Sequence, residues 1–409
     1  MITINKPQIE LIGDETFLYA NIQDESQDNV FKLFYSVEKN YGEYFSVDRA
    51  DAFLLASLMI AMKSHQDICV KAPVSKRLLF NINNTIQPLF TKMIPDSCCI
   101  KIYAEVGYCE KLDGKAVGCG CSLGVDSFSA LYKHMGENVI DSYRLTHLAL
   151  FNSGQLGYLD SKKSESTFRK AVEDITPFSK EIGLPIVAIN TNLNEYFVMS
   201  GFRTAVSRFV ISTLCCPLAM QKLFGKYVFA SSYSVEDFEI SQKDQSHAEA
   251  TYVPLLSTES TEIILSSAVM TRVEKTDFIR KYPYTSKYLD VCWAAQMADS
   301  VSHNDKWLKD KTKRNCGWCD KCARTLFTLE LLGEDIRKYN DIFDLSKYYE
   351  HKEEFIRTVL THWRSNIMYK EIYFLMKEKK YEIPKSVEKY LKKRRIKAKI
   401  RNIFSFTNK

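Results

Sequence analysis

The chain has 409 residues, of which 45% are hydrophobic and 26% charged. This is the composition of a globular protein with a sizeable core, and it excludes wholesale disorder. The formal charge of +6 is concentrated in one place, because eight basic residues and no acidic residue lie between Lys389 and Arg401. The rest of the chain is nearly neutral, which argues against a broad nucleic-acid groove over the main fold.

No stretch of the sequence approaches the roughly 18 consecutive apolar residues that a membrane span needs. The segment MITINKPQIELIGDE lacks the basic and apolar regions of a secretory signal. We therefore expect a cytoplasmic protein. In that compartment its twelve cysteines are thiols or metal ligands, not disulfides.

Residues 1–113 have the pattern of a small α+β domain. Three strand-like stretches lie between Ile9 and Val37, and the apolar segment from Asp51 to Lys63 has the spacing of a buried helix. Two more predicted strands flank a predicted helix at 76–94. The turn from Leu112 to Lys115 then predicts a hinge into the next domain.

From Lys115 onward, predicted strands and helices alternate, which is typical of a doubly wound parallel sheet. We assign residues 114–335 to this α/β domain and 336–409 to a C-terminal helical region that ends in the basic tail. Ligands of such sheets bind at the carboxyl ends of the strands. Residues that follow those strands are therefore the first candidates for a site.

The first of these strands, KAVGCGC, leads into the turn Ser122-Leu123-Gly124-Val125-Asp126-Ser127 and then into a predicted helix. A small, hydroxyl-bearing turn at such a junction directs backbone N–H groups toward one point, as a pyrophosphate requires. The Ser122 and Ser127 hydroxyls can add hydrogen bonds, and Asp126 can hold Mg²⁺. An ordinary tight turn with Asp126 or Ser127 as helix cap explains the same residues equally well.

The turn resembles the SGGxDS signature of PP-loop ATP pyrophosphatases, the adenine nucleotide alpha hydrolase superfamily, with Leu123 in place of one glycine. The segment Phe151-Asn152-Ser153-Gly154-Gln155 resembles the FDYGQ element of 7-cyano-7-deazaguanine synthases, and VEKTDFI, with Lys275, resembles a lysine-containing segment of the same family. Leu123 removes a position that tolerates positive φ, so we expect a different loop conformation and a less certain ATP turnover.

This resemblance implies a HUP-type fold that binds ATP and Mg²⁺, and it implies site residues. Catalytic roles fall on Asp126, Ser127 and Lys275. The nucleotide-binding residues that it and the turn geometry indicate are Ser122, Leu123, Gly124, Val125, Asp126, Ser127, Phe151, Asn152, Gly154, Gln155, Arg208 and Lys275. Arg208 enters because a guanidinium near the start of a long helix could clamp a phosphate or a carboxylate; a surface ion pair explains it equally well.

The spacing Cys316-Gly317-Trp318-Cys319-Asp320-Lys321-Cys322 predicts three thiolates that converge on one zinc ion. Cys292 is the natural fourth ligand, with His303 as a competitor. Deazaguanine synthases carry a similar distant cysteine before CxxCxxC, which favours Cys292. Four cysteines make a closed, structural zinc site, although an iron–sulfur cluster and a metal-free group of thiols stay open.

The segment after the predicted strand KYVFASS is polar and loop-like, with Asp237, Asp244 and His247 inside it. Such loops often bind substrates, but a solvated surface loop has the same composition. Cys119 and Cys121 flank the nucleotide turn and raise the alternative of thiol transfer. Their alternating positions on a strand favour simple burial.

We therefore expect an AMP-forming, ligase-like or amidotransferase-like ATP pyrophosphatase that adenylates a carbonyl or carboxylate oxygen of a small metabolite, sugar or peptide. A nitrogen or sulfur nucleophile then displaces AMP. Two alternatives stay open: a PP-loop enzyme that thiolates tRNA, and a non-catalytic nucleotide-binding partner in a multiprotein system such as defence. The acceptor is unidentified, a homodimer or partner protein is compatible with the sequence, and the basic tail can contact an anionic surface.

Overall fold

The computed structural model describes residues 1–26, 28–105, 111–154, 161–202, 208–292 and 313–394. These residues form two compact units: unit 1 extends to Val269, and unit 2 contains the described residues from Met270 onward. No helix within these ranges combines the length and hydropathy that crossing a bilayer would need.

The described residues contain eleven strands in one sheet. The strands are β1 Ile2–Ile4, β2 Gln8–Ile12, β3 Glu15–Asp24, β4 Asn29–Glu38, β5 Ile68–Pro73, β6 Ile102–Glu105, β7 Ala116–Gly120, β8 His147–Asn152, β9 Ile186–Thr191, β10 Phe224–Ala230 and β11 Glu262–Ser266. Their order is β11-β10-β7-β8-β9-β4-β3-β1-β5-β6, and β2 pairs with β3. Most neighbouring pairs are parallel, so the expected α/β class is confirmed.

The helices of unit 1 are α1 Asp51–Ser64, α2 Lys76–Asn81, α3 Gln87–Met93, α4 Val125–Met135, α5 Ser161–Ile182, α6 Leu193–Met199, α7 Phe209–Ala219 and α8 Glu249–Tyr252. Those of unit 2 are α9 Arg272–Ile279, α10 Pro283–Tyr288, α11 Asp320–Leu331, α12 Leu345–His362 and α13 Ile367–Glu378. The predicted helical stretch 345–379 is two helices, because Asn366 caps α13 by accepting hydrogen bonds from the N–H groups of Met368 and Tyr369.

β7 to β11 form a fully parallel group in the order β9-β8-β7-β10-β11. The chain moves from β7 outward through β8 to β9, and then returns to the other side of β7 for β10 and β11. This reversal beside β7 is the doubly wound pattern that the strand–helix alternation predicted.

The first 113 residues share this sheet, because β4 pairs antiparallel with β9 through Tyr35 with Thr191 and Ser36 with Asn190. One hydrophobic core therefore extends through both halves of unit 1. The predicted boundary at 113/114 falls inside unit 1, the boundary at 335/336 falls inside unit 2, and the compact units divide at 269/270.

A buried polar link also joins the two halves of unit 1. Asp51 at the start of α1 is fully buried and accepts hydrogen bonds from the Ser75 N–H at 2.7 Å and from Gln221 Nε2 at 2.8 Å. Desolvation by burial raises the pKa of Asp51. The Gln221 oxygen in turn accepts from the Thr258 hydroxyl at 2.6 Å, so every member of this link is hydrogen-bonded.

Candidate functional site

The loop between β7 and α4 holds its backbone in a conformation that few leucines adopt. Leu123 has φ +56°, in the left-handed region, and its side chain is only 2% exposed. That conformation destabilises an L-residue by about 1–2 kcal/mol, whereas burying a leucine side chain stabilises by about 1.5–3 kcal/mol. Leu123 therefore reaches a conformation that glycine adopts readily, and its anchored side chain offsets the strain.

The helix α4 begins directly after this loop, and its N-terminus has no side-chain cap. Its N-cap residue is Gly124, whose carbonyl accepts from the Phe128 N–H at 2.9 Å. The N–H groups of the first turn have no acceptor within the helix. With the helix dipole they form a positive end that suits an anion.

Two serine hydroxyls shape the loop. The buried Ser127 hydroxyl donates to the Gly120 carbonyl at 2.9 Å and accepts from the Ser122 N–H at 3.1 Å. The exposed Ser122 hydroxyl accepts from the Gly124 N–H at 3.4 Å. Ser127 therefore fixes the two ends of the loop and is not the N-cap, while Ser122 and the half-exposed Asp126 are accessible to solvent.

The last two residues of β8, and the turn that follows them, lie on one side of the reversal point. Asn152 donates to Asn190 Oδ1 of β9 at 2.7 Å and accepts from Ser164 at 2.8 Å. Phe151 is buried, with its ring 5.6 Å from that of Tyr227 in β10. Both predicted nucleotide-binding residues thus make contacts that also build the fold. Gly154 follows them with φ +105°, and the predicted Gln155 lies outside the described residues.

Arg208 is a buried cation beside this turn. It is 4% exposed, its Nε donates to the Phe202 carbonyl at 3.0 Å, and Nη1 approaches Gly154 so closely that a Cβ there would collide with it. No carboxylate within the described ranges pairs with Arg208, and desolvation lowers its pKa to about 10. The ion-pair explanation is therefore wrong for the described residues, and the guanidinium is a desolvated cation that a bound anion would stabilise.

Sequence reasoning missed Glu249, a buried carboxylate at the carboxyl end of β10. Its Oε1 accepts from the Ser231 hydroxyl at 2.7 Å and from the N–H groups of Ser232 and Tyr233. The side chain is 2% exposed. No spacing in the sequence marks Glu249, because its partners lie 16 to 18 residues earlier along the chain. A glutamate in the apolar surroundings of AEATYV is the only available signal.

The polar loop after β10 is folded by contacts among its own residues. His247 stacks on Tyr233 with ring centroids 3.8 Å apart, and its Nδ1 lies 3.1 Å from the Asp237 carbonyl oxygen. Tyr233 donates its hydroxyl proton to Asp244 at 3.0 Å. These contacts give His247, Asp244 and Asp237 a structural role in shaping the loop, and they hold Tyr233 beside Glu249.

Cys119 and Cys121 are both buried, at 0% and 1% exposure. Burial raises the pKa of the Cys119 thiol well above its usual range and that of Cys121 to about 12. Neither residue is a thiolate near neutral pH, so neither is a ready nucleophile or persulfide carrier. The interpretation of these two cysteines as buried packing residues is confirmed.

In unit 2, the structure brings together the four cysteines predicted to bind metal. The sulfur atoms of Cys292, Cys316, Cys319 and Cys322 lie within 4.8 Å of one another, and those of Cys316 and Cys322 are 3.9 Å apart. Zinc–sulfur bonds of about 2.3 Å in a tetrahedron place sulfurs about 3.8 Å apart, so the cluster could bind zinc. Hydrogen bonds from the other three thiols lower the pKa of Cys292, which favours a ligand thiolate. The competitor His303 lies outside the described residues.

Asn315, which the sequence analysis did not single out, joins Cys292 to the other three cysteines. Its side chain is fully buried, accepts from the Val291 N–H at 2.8 Å and donates to the Leu289 carbonyl at 2.8 Å and the Ile342 carbonyl at 3.1 Å. These bonds hold the segment before Cys292 beside the turn that carries Cys316, Cys319 and Cys322, which we call the knuckle. Gly317 completes the knuckle with φ +82°.

Lys275, the predicted catalytic lysine, lies on α9 of unit 2, whereas the loop around Leu123 lies in unit 1. The Lys275 side chain is fully buried, and α9 begins with a capping box of Thr271 and Glu274. No family model matches the sequence, and no curated protein and no solved structure matches it either.

Proposed function

We propose that this protein is an ATP-dependent, AMP-forming enzyme of the ligase or amidotransferase type, with a HUP-type PP-loop domain. The observation that supports this most is the loop at the reversal point of the parallel sheet. There the uncapped N-terminus of α4 follows Leu123, whose left-handed backbone is anchored by a buried side chain. Such a helix end binds phosphate groups.

In this proposal the first-turn N–H groups of α4 and the accessible Ser122 hydroxyl bind the β- and γ-phosphates of ATP. Ser127 keeps the loop closed. Arg208 supplies a cation that has no competing carboxylate partner in the described part of the chain. Lys275 enters only through the resemblance of VEKTDFI.

The half-exposed carboxylate of Asp126, in the first turn of α4, fits Mg²⁺, which uses one or two protein carboxylates together with substrate phosphates. A bound Mg²⁺ would supply charge neutralisation at the phosphate oxygens. The chain's own contribution is to hold the triphosphate in one orientation and to stabilise the charge that develops on the leaving pyrophosphate.

The chemistry has two balanced steps. An oxygen of the acceptor carbonyl or carboxylate attacks the α-phosphorus, forming an O–P bond while the bond to pyrophosphate breaks. A nitrogen or sulfur nucleophile then attacks the activated carbon, the C–O bond to AMP breaks, and the nucleophile loses its proton. We assign zinc at the four cysteines a structural role, because four protein ligands leave no position for water.

The experiment that tests this proposal is to incubate the full chain with Mg²⁺ and ATP labelled at the α-phosphate, with and without a cytosolic metabolite extract. We expect AMP and pyrophosphate, stimulated by the extract, and no AMP from the Asp126→Ala variant. The matched control is Asp141→Ala, an acidic residue whose side chain is fully exposed at the surface of the same unit.

Formation of ADP and phosphate would overturn the proposal. Tight ATP binding without turnover would favour the non-catalytic nucleotide-binding partner. The tRNA-thiolation alternative requires a thiolate that carries sulfur, and the raised pKa values of Cys119 and Cys121 disfavour these two cysteines for that task.

A further inference from the structure

Unit 2 carries a partly exposed group of aromatic rings where α12 ends and α13 passes; Trp363 and Tyr373 are half-buried and Phe374 is exposed. Trp363 and Tyr373 are stacked with nearly parallel planes, 7° apart, at a centroid distance of 4.2 Å. Phe374 lies 6.1 Å from Trp363 and 5.6 Å from Tyr373, and it is 54% exposed. We call these three residues the aromatic cluster. Exposed aromatic groups of this size usually mark a contact surface.

Cations surround the aromatic cluster. The Arg364 guanidinium lies 4.9 Å from the centre of the Trp363 ring, and Lys377 Nζ lies 5.7 Å from that of Tyr373. Nine exposed basic residues of this region form no ion pair with any described residue: Arg364, Lys370, Lys377, Lys380, Lys385, Lys389, Lys392, Lys393 and Arg394. Their charge is therefore available to a ligand.

The helical segment 385–394 packs on α12 close to the aromatic cluster. Ser386 donates to Glu353 at 2.6 Å, and the Arg357 guanidinium lies 5.4 Å from the Tyr390 ring. Trp363 follows Arg357 by six residues, about 9 Å along a helix. The unpaired lysines and the aromatic rings thus belong to one region of unit 2.

Acidic residues do not cancel this charge. Ten basic and four acidic residues lie between Arg364 and Arg394. Glu371 accepts a hydrogen bond from the Val273 N–H at 3.0 Å, and Glu378 pairs with Lys379 at 2.9 Å. Among the described residues of this stretch, Glu382 and Glu388 are the exposed acids that form no ion pair. The complementary ligand is a polyanion.

The distribution of apolar side chains distinguishes a nucleic acid from a membrane. A helix that lies on a bilayer directs its apolar stripe outward. In segment 385–394 the aliphatic residues turn inward, since Val387 is fully buried and Leu391 is half-buried, while the lysines and Tyr390 are exposed. The unpaired bases of a single-stranded nucleic acid, by contrast, stack on exposed aromatic rings, and the phosphates of its backbone attract nearby cations.

We propose that the aromatic cluster and the unpaired cations of 364–394 bind single-stranded nucleic acid. The exposed Phe374 ring stacks on a base, and Arg364, Lys377 and the lysines of 385–394 contact successive phosphates. This interaction does not depend on ATP, so it is measured separately from the activity proposed for unit 1.

The test measures fluorescence anisotropy of a labelled 20-nucleotide oligouridine with the full chain, without nucleotide. An abasic strand with the same number of phosphates is the matched probe, because it keeps the charge and lacks the rings. We expect oligouridine to bind about five- to tenfold more tightly than the abasic strand. We also expect affinity to fall with salt, with a slope of roughly −0.7 per phosphate contacted.

Two variants separate stacking from charge. Phe374→Ala should bring the two strands to nearly equal affinity without changing the salt slope, and the double change Lys392→Glu and Lys393→Glu should flatten that slope. Tyr349→Ala, at a 52% exposed tyrosine of α12 outside the cluster, is the control and should change neither. Equal binding of both strands by the unmodified chain, or binding to phosphatidylserine vesicles without binding to oligouridine, would overturn the proposal.

Discussion

The loop between β7 and α4 in unit 1 and the cysteine knuckle of unit 2 both pass through a left-handed residue, but they reach it in opposite ways. In the loop, Leu123 has φ +56° and keeps this conformation because its side chain is buried. In the knuckle, Gly317 has φ +82°, and a Cβ at this position would collide with the Asp344 carbonyl. Position 317 of the knuckle therefore accepts no side chain, whereas position 123 of the loop depends on one.

The knuckle and unit 1 also differ in whether their buried polar groups have partners. Asn315 beside the knuckle uses its amide oxygen and its amide nitrogen in three hydrogen bonds, so the segment around the metal cluster is satisfied. Arg208 near the β8 turn is a desolvated cation without a carboxylate partner in the described ranges. Strain and unpaired charge typically persist where a ligand compensates for them. This contrast supports our proposal of a binding site in unit 1, whereas the contacts around the knuckle are those of a scaffold.

Replacing the knuckle glycine should have the largest effect on stability. Gly317→Ala introduces a Cβ against the Asp344 carbonyl and places alanine in the left-handed region. We expect it to lower the free energy of unfolding by about 2–5 kcal/mol and to reduce the zinc content of the purified protein. Chemical denaturation and metal analysis measure both quantities.

The matched control is Gly333→Ala, because Gly333 has φ +76° but no atom lies within 4 Å of the position that its Cβ would occupy. It should lose only about 1 kcal/mol and keep its zinc. If the two variants lost equal stability, the left-handed backbone alone would account for the loss. The expected collision between a Cβ at position 317 and the Asp344 carbonyl would then be wrong.

Much of the fold follows from local patterns in the sequence. The strand–helix alternation after Lys115 predicts β7 to β10 and α4 with bounds close to those observed, because each element has a clear apolar period. The pairing of β4 with β9 has no such signal, since its partners lie more than 150 residues apart in sequence. For that reason the sequence indicated a domain boundary where the structure has a continuous sheet.

The site residues also divide into those that a local sequence pattern predicts and those that depend on contacts between distant segments. The CxxCxxC spacing and the turn around Gly124 are short-range signals, and both lie where the sequence predicted them, at a cysteine cluster and at a strand-to-helix junction. The environments of Glu249, Asn315 and Arg208, by contrast, depend on tertiary contacts, which no local sequence pattern reveals. The sequence analysis expected Leu123 to remove a positive-φ position from the loop, and this is wrong: Leu123 has φ +56°, because its buried side chain offsets the strain.

The second prediction concerns the unpaired cation. Arg208→Gln removes a desolvated charge, so we expect the ligand-free protein to gain about 1 kcal/mol in its free energy of unfolding. The same change should weaken binding of MgATP at least tenfold, because a hydrogen bond to a charged group contributes about 1.5–3 kcal/mol. Denaturation without ligand and calorimetric titration with MgATP measure the two effects, which have opposite signs.

Arg169→Gln serves as the control, since Arg169 is 61% exposed and pairs with Glu15 and Glu165. It should change neither quantity by more than a few tenths of a kcal/mol. If Arg208→Gln lowered the free energy of unfolding and left the MgATP affinity unchanged, Arg208 would be a structural residue. Its buried charge would then no longer distinguish unit 1 from the knuckle.

The smallest expected effect on ligand affinity separates conformation from burial at Leu123. Leu123→Ile keeps the volume and hydrophobicity but adds a β-branch, which the left-handed region disfavours strongly. We expect it to lower the free energy of unfolding by about 1–2 kcal/mol and to weaken pyrophosphate binding severalfold. Leu123→Met keeps both the anchor and the unbranched Cβ, so it should resemble the unmodified chain in denaturation and calorimetry.

Leu123→Gly tests the other half of the argument, because it relieves the strain and removes the anchor. Loss of a buried leucine outweighs the relief, so we expect a net loss of about 1 kcal/mol and weaker pyrophosphate binding, since a glycine loop must be ordered by the ligand. If this variant were more stable and bound pyrophosphate more tightly, Leu123 would be a tolerated defect. If instead it loses affinity while Leu123→Met does not, the buried leucine side chain itself preorganises the loop for its anion.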